Sequence, residues 1–462
     1  MESELWRNSA TQLARMIRDR EVSSREVVES HLKRIEVVNP RVNAVTVVLE
    51  ASALSAADDA DRRPPAGPLH GVPFTIKENL DCLGSATTQG LHAMVDAMPT
   101  LDAPAVARMK SAGAIPLART NMPEMGLRIT TDNVLRGRTL NPWVPTRTAG
   151  GSSGGEGAAL ATGMTPIGLG NDIGGSLRNP AYCCGITSLK PTTGRIPHAS
   201  TLPPLDFNLS AQMMCVDGPM ARHVEDLQLA YQLLAGRDPR DPFSVAAPLQ
   251  GPPPQNKRVA LVTAIPGATL SDSALTAIRR AGAELSAQGW QLEEVAPPEL
   301  ERVNELWGNL LGVDITQMLP VIGQVMSESA VALLHRLTSA FNPESMPSLV
   351  LHTERARLMR TWSEFFQDYP LVIGPTWTDI PFLHDADLDP EGGYEMMLKQ
   401  LLFITPGNLL GIPAVALPMG VANGLPTGIQ IYADLWREDL CLHAAAQIEK
   451  AVGQVCPIDP VS

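Results

Sequence analysis

Residues 150–191 read GGSSGGEGAALATGMTPIGLGNDIGGSLRNPAYCCGITSLKP. Two clusters of small residues, at 150–155 and 174–176, enclose an alanine-rich run and a short apolar run. Glycine tolerates positive φ and lets a backbone approach another group closely, so a serine set among glycines is one that a second molecule can reach. A flexible Gly/Ser linker would share the first six residues. The residues after them do not suit a linker. Residues 158–161 favour helix, 165–169 read as a short buried strand, and 187–190 as another.

Upstream, the apolar run 72–76 reads as a strand and ends at Lys77. Open α/β sheets gather ligands at the carboxyl ends of strands, so Lys77 is a candidate site residue. A plain surface lysine in a turn is the alternative. A helix at 103–112 and a strand at 114–118 come next. Residues 120–148 lack periodicity and form a long loop, a kind that is commonly functional. At the amino end, 8–38 read as two amphipathic helices. Ser23 and Glu26 fit a capping box, and Pro40 is expected to end the second helix. A strand at 44–49, a helix at 51–60 and a proline-rich loop at 62–68 complete that end.

Downstream come a helix at 224–234 and an internal linker, 242–255, with five prolines. A strand at 259–263, a helix at 273–288 and a strand at 292–295 resume the alternation. Residues 299–369 show no strand and are rich in Leu, Met and Trp, as in a helical insertion. Strands at 371–375, 414–418 and 428–431 precede a helix at 438–451. The expected fold is a single large α/β/α sandwich. Its central sheet is mixed, mostly parallel and twisted, with helices on both faces and a helical insertion. One domain, 1–462, then comprises an amino-terminal helical segment (1–62), a catalytic core (65–240), an insertion shaping the pocket (299–369) and carboxyl-terminal core strands with a helix (370–462).

The 462 residues include 36 Lys and Arg against 49 Asp and Glu, a net charge of −13, with no basic run. Nucleic acid and anionic membrane are therefore not expected as direct partners. Six cysteines form no CxxC pair and read as reduced, which fits a cytoplasmic protein. No secretory signal, anchor or run of 18 apolar residues is present, so no membrane association is expected.

Ser176 follows Ile173-Gly174-Gly175, where successive amides can converge on an oxyanion. A serine nucleophile needs a base. None of the nine histidines sits in a motif with a serine, and GxSxG, HExxH, the P-loop and GxGxxG are all absent.

With GGSSGGEG, NDIGGSLR and ITSLKP in order, the stretch resembles the amidase signature family. GVPFTIKEN, NMPEMG, TLNPW, ITPGNLLGIPAVALPMG and LPTGIQI extend the resemblance over nearly the whole chain except about 245–370. It implies a Ser–cis-Ser–Lys triad: Ser176 as acyl nucleophile, Ser152 as bridging serine after a cis peptide, and Lys77 as base. Lys77 and Ser152 are 75 positions apart, and Ser152 and Ser176 are 24 apart. The resemblance further implies oxyanion-hole amides from Ile173, Gly174, Gly175 and Ser176, a supporting pair Asp172 and Arg178, and the supporting hydroxyl of Ser153. Asn171, Ile173 and Glu156 depart from the commonest family residues. The acyl wall is expected from 125–133 and 300–350, with Met125, Thr131, Gly151 and Trp307 as substrate-binding residues.

The implied activity is hydrolysis of a small, fairly apolar amide, anilide or aryl carbamate through an acyl-enzyme. No metal or cofactor is implied, and a monomer or homodimer is expected. The alternatives are the amidase subunit of a tRNA-dependent amidotransferase, working with a tRNA-binding partner, and a catalytically dead scaffold. A free lysine, with a pKa near ~10.4, is a poor base at neutral pH, so the implied base must be buried.

Overall fold

The computed structural model describes residues 4–341 and 347–461. Its strands are β1 (Val45–Val48), β2 (Pro73–Lys77), β3 (Ile115–Thr120), β4 (Ile167–Asp172), β5 (Thr187–Lys190), β6 (Val216–Ala221), β7 (Arg258–Leu261), β8 (Gln291–Glu294), β9 (Leu371–Pro375), β10 (Ala414–Ala422) and β11 (Leu425–Tyr432). Among the described residues they form one 11-stranded sheet in the order β1-β3-β2-β4-β6-β5-β10-β11-β9-β7-β8. Every residue of β2, β4, β5, β6 and β9 is buried, as expected for strands covered by helices on both faces. The edge strand β8, Gln-Leu-Glu-Glu, is exposed throughout. Its two carboxylates discourage pairing with another chain.

The sheet is mixed, as expected, but its balance of directions differs from the expectation of a mostly parallel sheet. Parallel pairing occupies two blocks, β3-β2-β4 and β9-β7-β8. The centre, from β4 through β6, β5, β10 and β11 to β9, is antiparallel. Two local features contribute to the difference. Residues 216–221, VDGPMA, not expected as a strand, form β6 between β4 and β5 and antiparallel to both. Ala422-Asn423-Gly424-Leu425 closes a two-residue hairpin between β10 and β11, with φ of 53° at Asn423 and 77° at Gly424. Positive φ at both central residues is what Asn-Gly supplies.

Ser23 and Glu26 form the expected capping box on helix Ser24–Val42. Pro40 does not end that helix. It lies within the last turn, and the helix stops at Asn43 in the left-handed conformation. The proline-rich segment 242–255 does not separate two bodies. Buried Arg195 donates to the carbonyls of Ala247 (2.8 Å) and Pro248 (3.1 Å), which ties the segment down. Helices Leu300–Ile322, Glu328–Phe341 and Ser348–Asp368 occupy the strandless region, of which 342–346 lie outside the described residues.

The glycines of helix Gly154–Ala161 set its depth. A Cβ on Gly155 would lie 2.3 Å from Asn121 N and 2.6 Å from Asn121 O, so the helix lies directly on backbone at the end of β3. Gly155→Ala is expected to cost about 1–3 kcal/mol by overpacking, read as a lower denaturation midpoint with an unchanged slope.

Candidate active site

Three chain segments meet at the carboxyl ends of β2 and β4. Lys77 is the last residue of β2, fully buried. Its Nζ donates to Ser152 Oγ (2.6 Å) and to Asn171 Oδ1 (2.6 Å). The Gly151–Ser152 peptide is cis. Ser152 and Ser176 are 2% and 5% exposed, and both line one cavity of about 200 Å³. The Ser153 amide donates to the Ser176 carbonyl (3.3 Å), joining the two serine-bearing loops.

Burial lowers the Lys77 ammonium to about 7, against the opposing pull of nearby acids including Asp172, Asp217 and Glu156. Glu156, fully buried, accepts from the hydroxyls of Thr75 on β2 and Thr120 on β3, and Thr120 pairs with Lys77 in register. Burial raises its carboxyl to about 7, with both hydroxyls and Lys77 pulling the other way. Only a glycine at 168 admits that carboxylate, since a Cβ there would overlap Glu156 Oε1. Lys77 therefore faces little uncompensated negative charge, which helps it stay neutral.

The loop after β4 is held by a buried ion pair. Asp172 Oδ2 accepts from Arg178 Nε (3.0 Å), and both side chains are fully buried. Burial pushes the Asp172 carboxyl up, but the Arg178 guanidinium outweighs it and holds it well below the usual carboxylate range. Arg178 also donates to the Ile404 carbonyl, Gln430, Tyr432 and Asn408, which fixes the loop to β11 and to helix Thr405–Leu409. Asp172 in turn accepts from the amides of Gly175 (2.7 Å) and Leu177 (3.2 Å).

This corrects one expectation. The Gly175 amide is already engaged by Asp172 and is not available to a bound oxyanion. Among the described residues, the amides of Ile173, Gly174 and Ser176 donate no hydrogen bond within the protein. Asn179 bridges the two loops: its Nδ2 donates to the carbonyls of Gly151 and Gly174 (both 3.2 Å), and its Oδ1 accepts from Trp377 Nε1 (2.8 Å).

Of the expected substrate-binding residues, Met125 lines the first cavity with Gly126 and Leu127. Trp307 lines a second, apolar cavity of about 60 Å³ that also reaches Ser176, with Phe341 edge-on to its ring. Its indole N–H donates to the Ile173 carbonyl (3.1 Å). Thr131 and Gly151 line neither cavity. The Thr131 hydroxyl is used behind the serine loop, donating to the Gly150 carbonyl and accepting from the Gly154 amide (both 3.0 Å). Gly151 is pressed against Ile129 and Thr130, where a Cβ would not fit. The Ser153 hydroxyl is buried beside Gly170 with no hydrogen-bond partner among the described residues.

Sequence reasoning did not find His198, Phe207, Cys215, Asn179 or the partner role of Asn171. The first three line the first cavity from beyond the motif. Asn171 carried a signal, since it departs from the commonest family residue.

With this geometry in place, the comparisons are decisive about family. The profile of the amidase family matches residues 26–442. The chain belongs to the amidase family. An indoleacetamide hydrolase of Bradyrhizobium diazoefficiens is 40% identical over 457 residues, covering 97% of this chain and 87% of that protein. The A subunit of the glutamyl-tRNA(Gln) amidotransferase of Salinispora tropica is 31% identical, covering 97% of this chain and 98% of that protein. A solved structure of 6-aminohexanoate cyclic dimer hydrolase complexed with substrate superposes with a TM-score of 0.83 at 29% identity, covering 97% of each chain. Among the described residues, no helix is long and apolar enough to cross a membrane.

The Asp172–Arg178 pair supports a stability prediction. Arg178→Met leaves the Asp172 charge buried without its cation, at a cost of about 3–5 kcal/mol. Chemical denaturation of the purified variant checks this.

Proposed function

We propose that this amidase hydrolyses the C–N bond of a small, fairly apolar amide through an acyl-enzyme on Ser176. The observation that carries the reading is the buried Lys77, 2.6 Å from the Oγ of Ser152, which lines the same cavity as Ser176. Neutral Lys77 takes a proton from Ser152 as Ser152 takes one from Ser176. Ser176 Oγ attacks the amide carbonyl. The free amides of Ile173, Gly174 and Ser176 are the donors for the oxyanion. The relay returns the proton to the leaving amine, and water then attacks the acyl-enzyme by the same route.

The 40% identical indoleacetamide hydrolase makes a primary arylacetamide the first substrate class to test. The cavity walls agree: Leu202, Pro203, Phe207, Leu311, Ile315 and Met318 offer apolar surface for an aryl group. Anilides and aryl carbamates present the same carbonyl to Ser176 and belong to the test panel. The amidotransferase reading draws on the 31% identical amidotransferase relative. It predicts no free-standing activity on arylacetamides.

Ammonia release from indole-3-acetamide is expected for the isolated protein, with Ser176→Ala reducing kcat by at least about 10³-fold. Activity retained in that variant overturns the nucleophile assignment. Because Lys77 must be neutral and burial holds it at about 7, kcat/KM should rise with pH through that value and level off above it. A profile that is flat from about pH 6 to 9, with chemistry limiting, contradicts Lys77 as base.

A further inference from the structure

Among the described residues, His198 is the one histidine on the wall of the cavity that holds Ser152 and Ser176. Its ring is fixed on two sides. Nδ1–H donates to Asp217 Oδ1 (2.7 Å), and Phe207 packs on the ring face with centroids 4.5 Å apart. The backbone amide of His198 donates to Asp241 Oδ2 (3.0 Å), which anchors the loop. Asp217 lies on β6 directly opposite Asn171 on β4, the residue that binds Lys77. The ring is thus set in the same frame as the proposed base.

The carboxylate partner decides which ring nitrogen carries the proton. Asp217 requires Nδ1–H, so in the neutral ring Nε2 carries a lone pair. Nε2 makes no hydrogen bond with any described residue and is not among the buried polar atoms left unsatisfied. The side chain is 18% exposed, and the residue lines the cavity. The charged groups that act most strongly on the ring are carboxylates: Asp217 from β6, Asp241, and Asp81 from the segment after β2. Asp314, from helix Leu300–Ile322, lines the same cavity. Asp81 and Asp314 are engaged by the protein's own donors. Asp81 accepts from Thr87, Ser200 and Thr201, and Asp314 from the Ser210 amide. The carboxylates at this end of the cavity disfavour an anion. With the ring neutral, Nε2 is an open acceptor beside an aromatic face.

We propose that His198 is a specificity-determining residue whose Nε2 accepts a hydrogen bond from an N–H on the aryl group of the substrate, selecting arylacetamides with a ring donor such as indolyl over otherwise similar rings without one. The inference rests on the amidase reading above and goes beyond it. It assigns the recognising atom and the feature recognised.

The test compares indole-3-acetamide with 1-benzothiophene-3-acetamide, which has nearly the same shape but sulfur in place of the ring N–H. Ammonia release is measured at about pH 8.5. Burial pulls the imidazole pKa down, but the nearby carboxylates outweigh it and hold it up, so the measurement is made on the alkaline side, which favours the neutral ring. The wild-type enzyme is expected to favour the indole by about ten-fold in kcat/KM, mainly through KM. His198→Phe keeps an aromatic ring against Phe207 but has no acceptor. It should bring the ratio of the two substrates to within about two-fold of unity, whatever fall in rate the two share from leaving Asp217 without its partner. His198→Gln, which presents an amide oxygen, should recover part of the preference.

A wild-type ratio near unity overturns the inference without any variant. So does a preference that survives in His198→Phe. In both cases the substrates are still hydrolysed and the amidase reading stands. Failure of the wild-type protein to hydrolyse either amide overturns the arylacetamide reading and the inference with it.

Discussion

An ammonium group buried with no exposed surface must lose its charge or find a counterion. Lys77 is such a group. Its Nζ is satisfied by two neutral oxygens, Ser152 Oγ and Asn171 Oδ1. The nearest acids are occupied elsewhere. Asp172 is matched to Arg178, and Glu156 is met by two hydroxyls and itself raised to about 7. The surroundings thus lower this amine to about 7, so that it is readily neutral beside a serine. Much of the nearby structure is arranged around that condition: the small residues of helix Gly154–Ala161, the glycine at 168, and strands buried along their full length.

The two serine-bearing loops have almost no regular structure of their own, and they are held by side chains from distant parts of the chain. Arg178 reaches five acceptors, four of them beyond the adjoining loop. Asn179, aimed by Trp377, ties the Gly151 carbonyl to the Gly174 carbonyl. Trp307 holds the Ile173 carbonyl from the helical region. Groups fixed in this way need little reorganisation when charge develops, which is where preorganised donors act most strongly. The same bonds explain why Gly175 does not contribute its amide: that N–H helps to hold Asp172.

The helical region around Leu300–Ile322 links the site to its substrate side. Leu311 and Ile315 line both cavities, and Trp307 closes the smaller one against Gly174. The larger cavity has apolar wall from Leu311, Ile315 and Met318, and mixed polar and aromatic wall where His198 stacks on Phe207. The proposed chemistry at Ser176 and the proposed selection of substrate thus draw on different parts of one chain.

Local pattern carried much of this protein. Capping, apolar runs and helix periodicity marked most elements, and Lys77, Ser152 and Ser176 stood out by motif and order. Physical reasons explain the rest. β6 was hidden because Gly218-Pro219 carries turn chemistry that the surrounding sheet overrides. Thr131 was read as facing substrate because a loop position says nothing about which side of the loop a hydroxyl serves. His198 and Asn179 have no local signature, since what they do depends on Asp217, Phe207, Trp377 and carbonyls brought from elsewhere. The sequence by itself carried the resemblance to the family, most of the elements and the residue types at the candidate site, because motifs and local patterns are legible along the chain. Only the tertiary structure decided the charge on Lys77, the free amides beside Ser176 and the open nitrogen of His198, because burial and hydrogen-bond partners are set by contacts between distant segments.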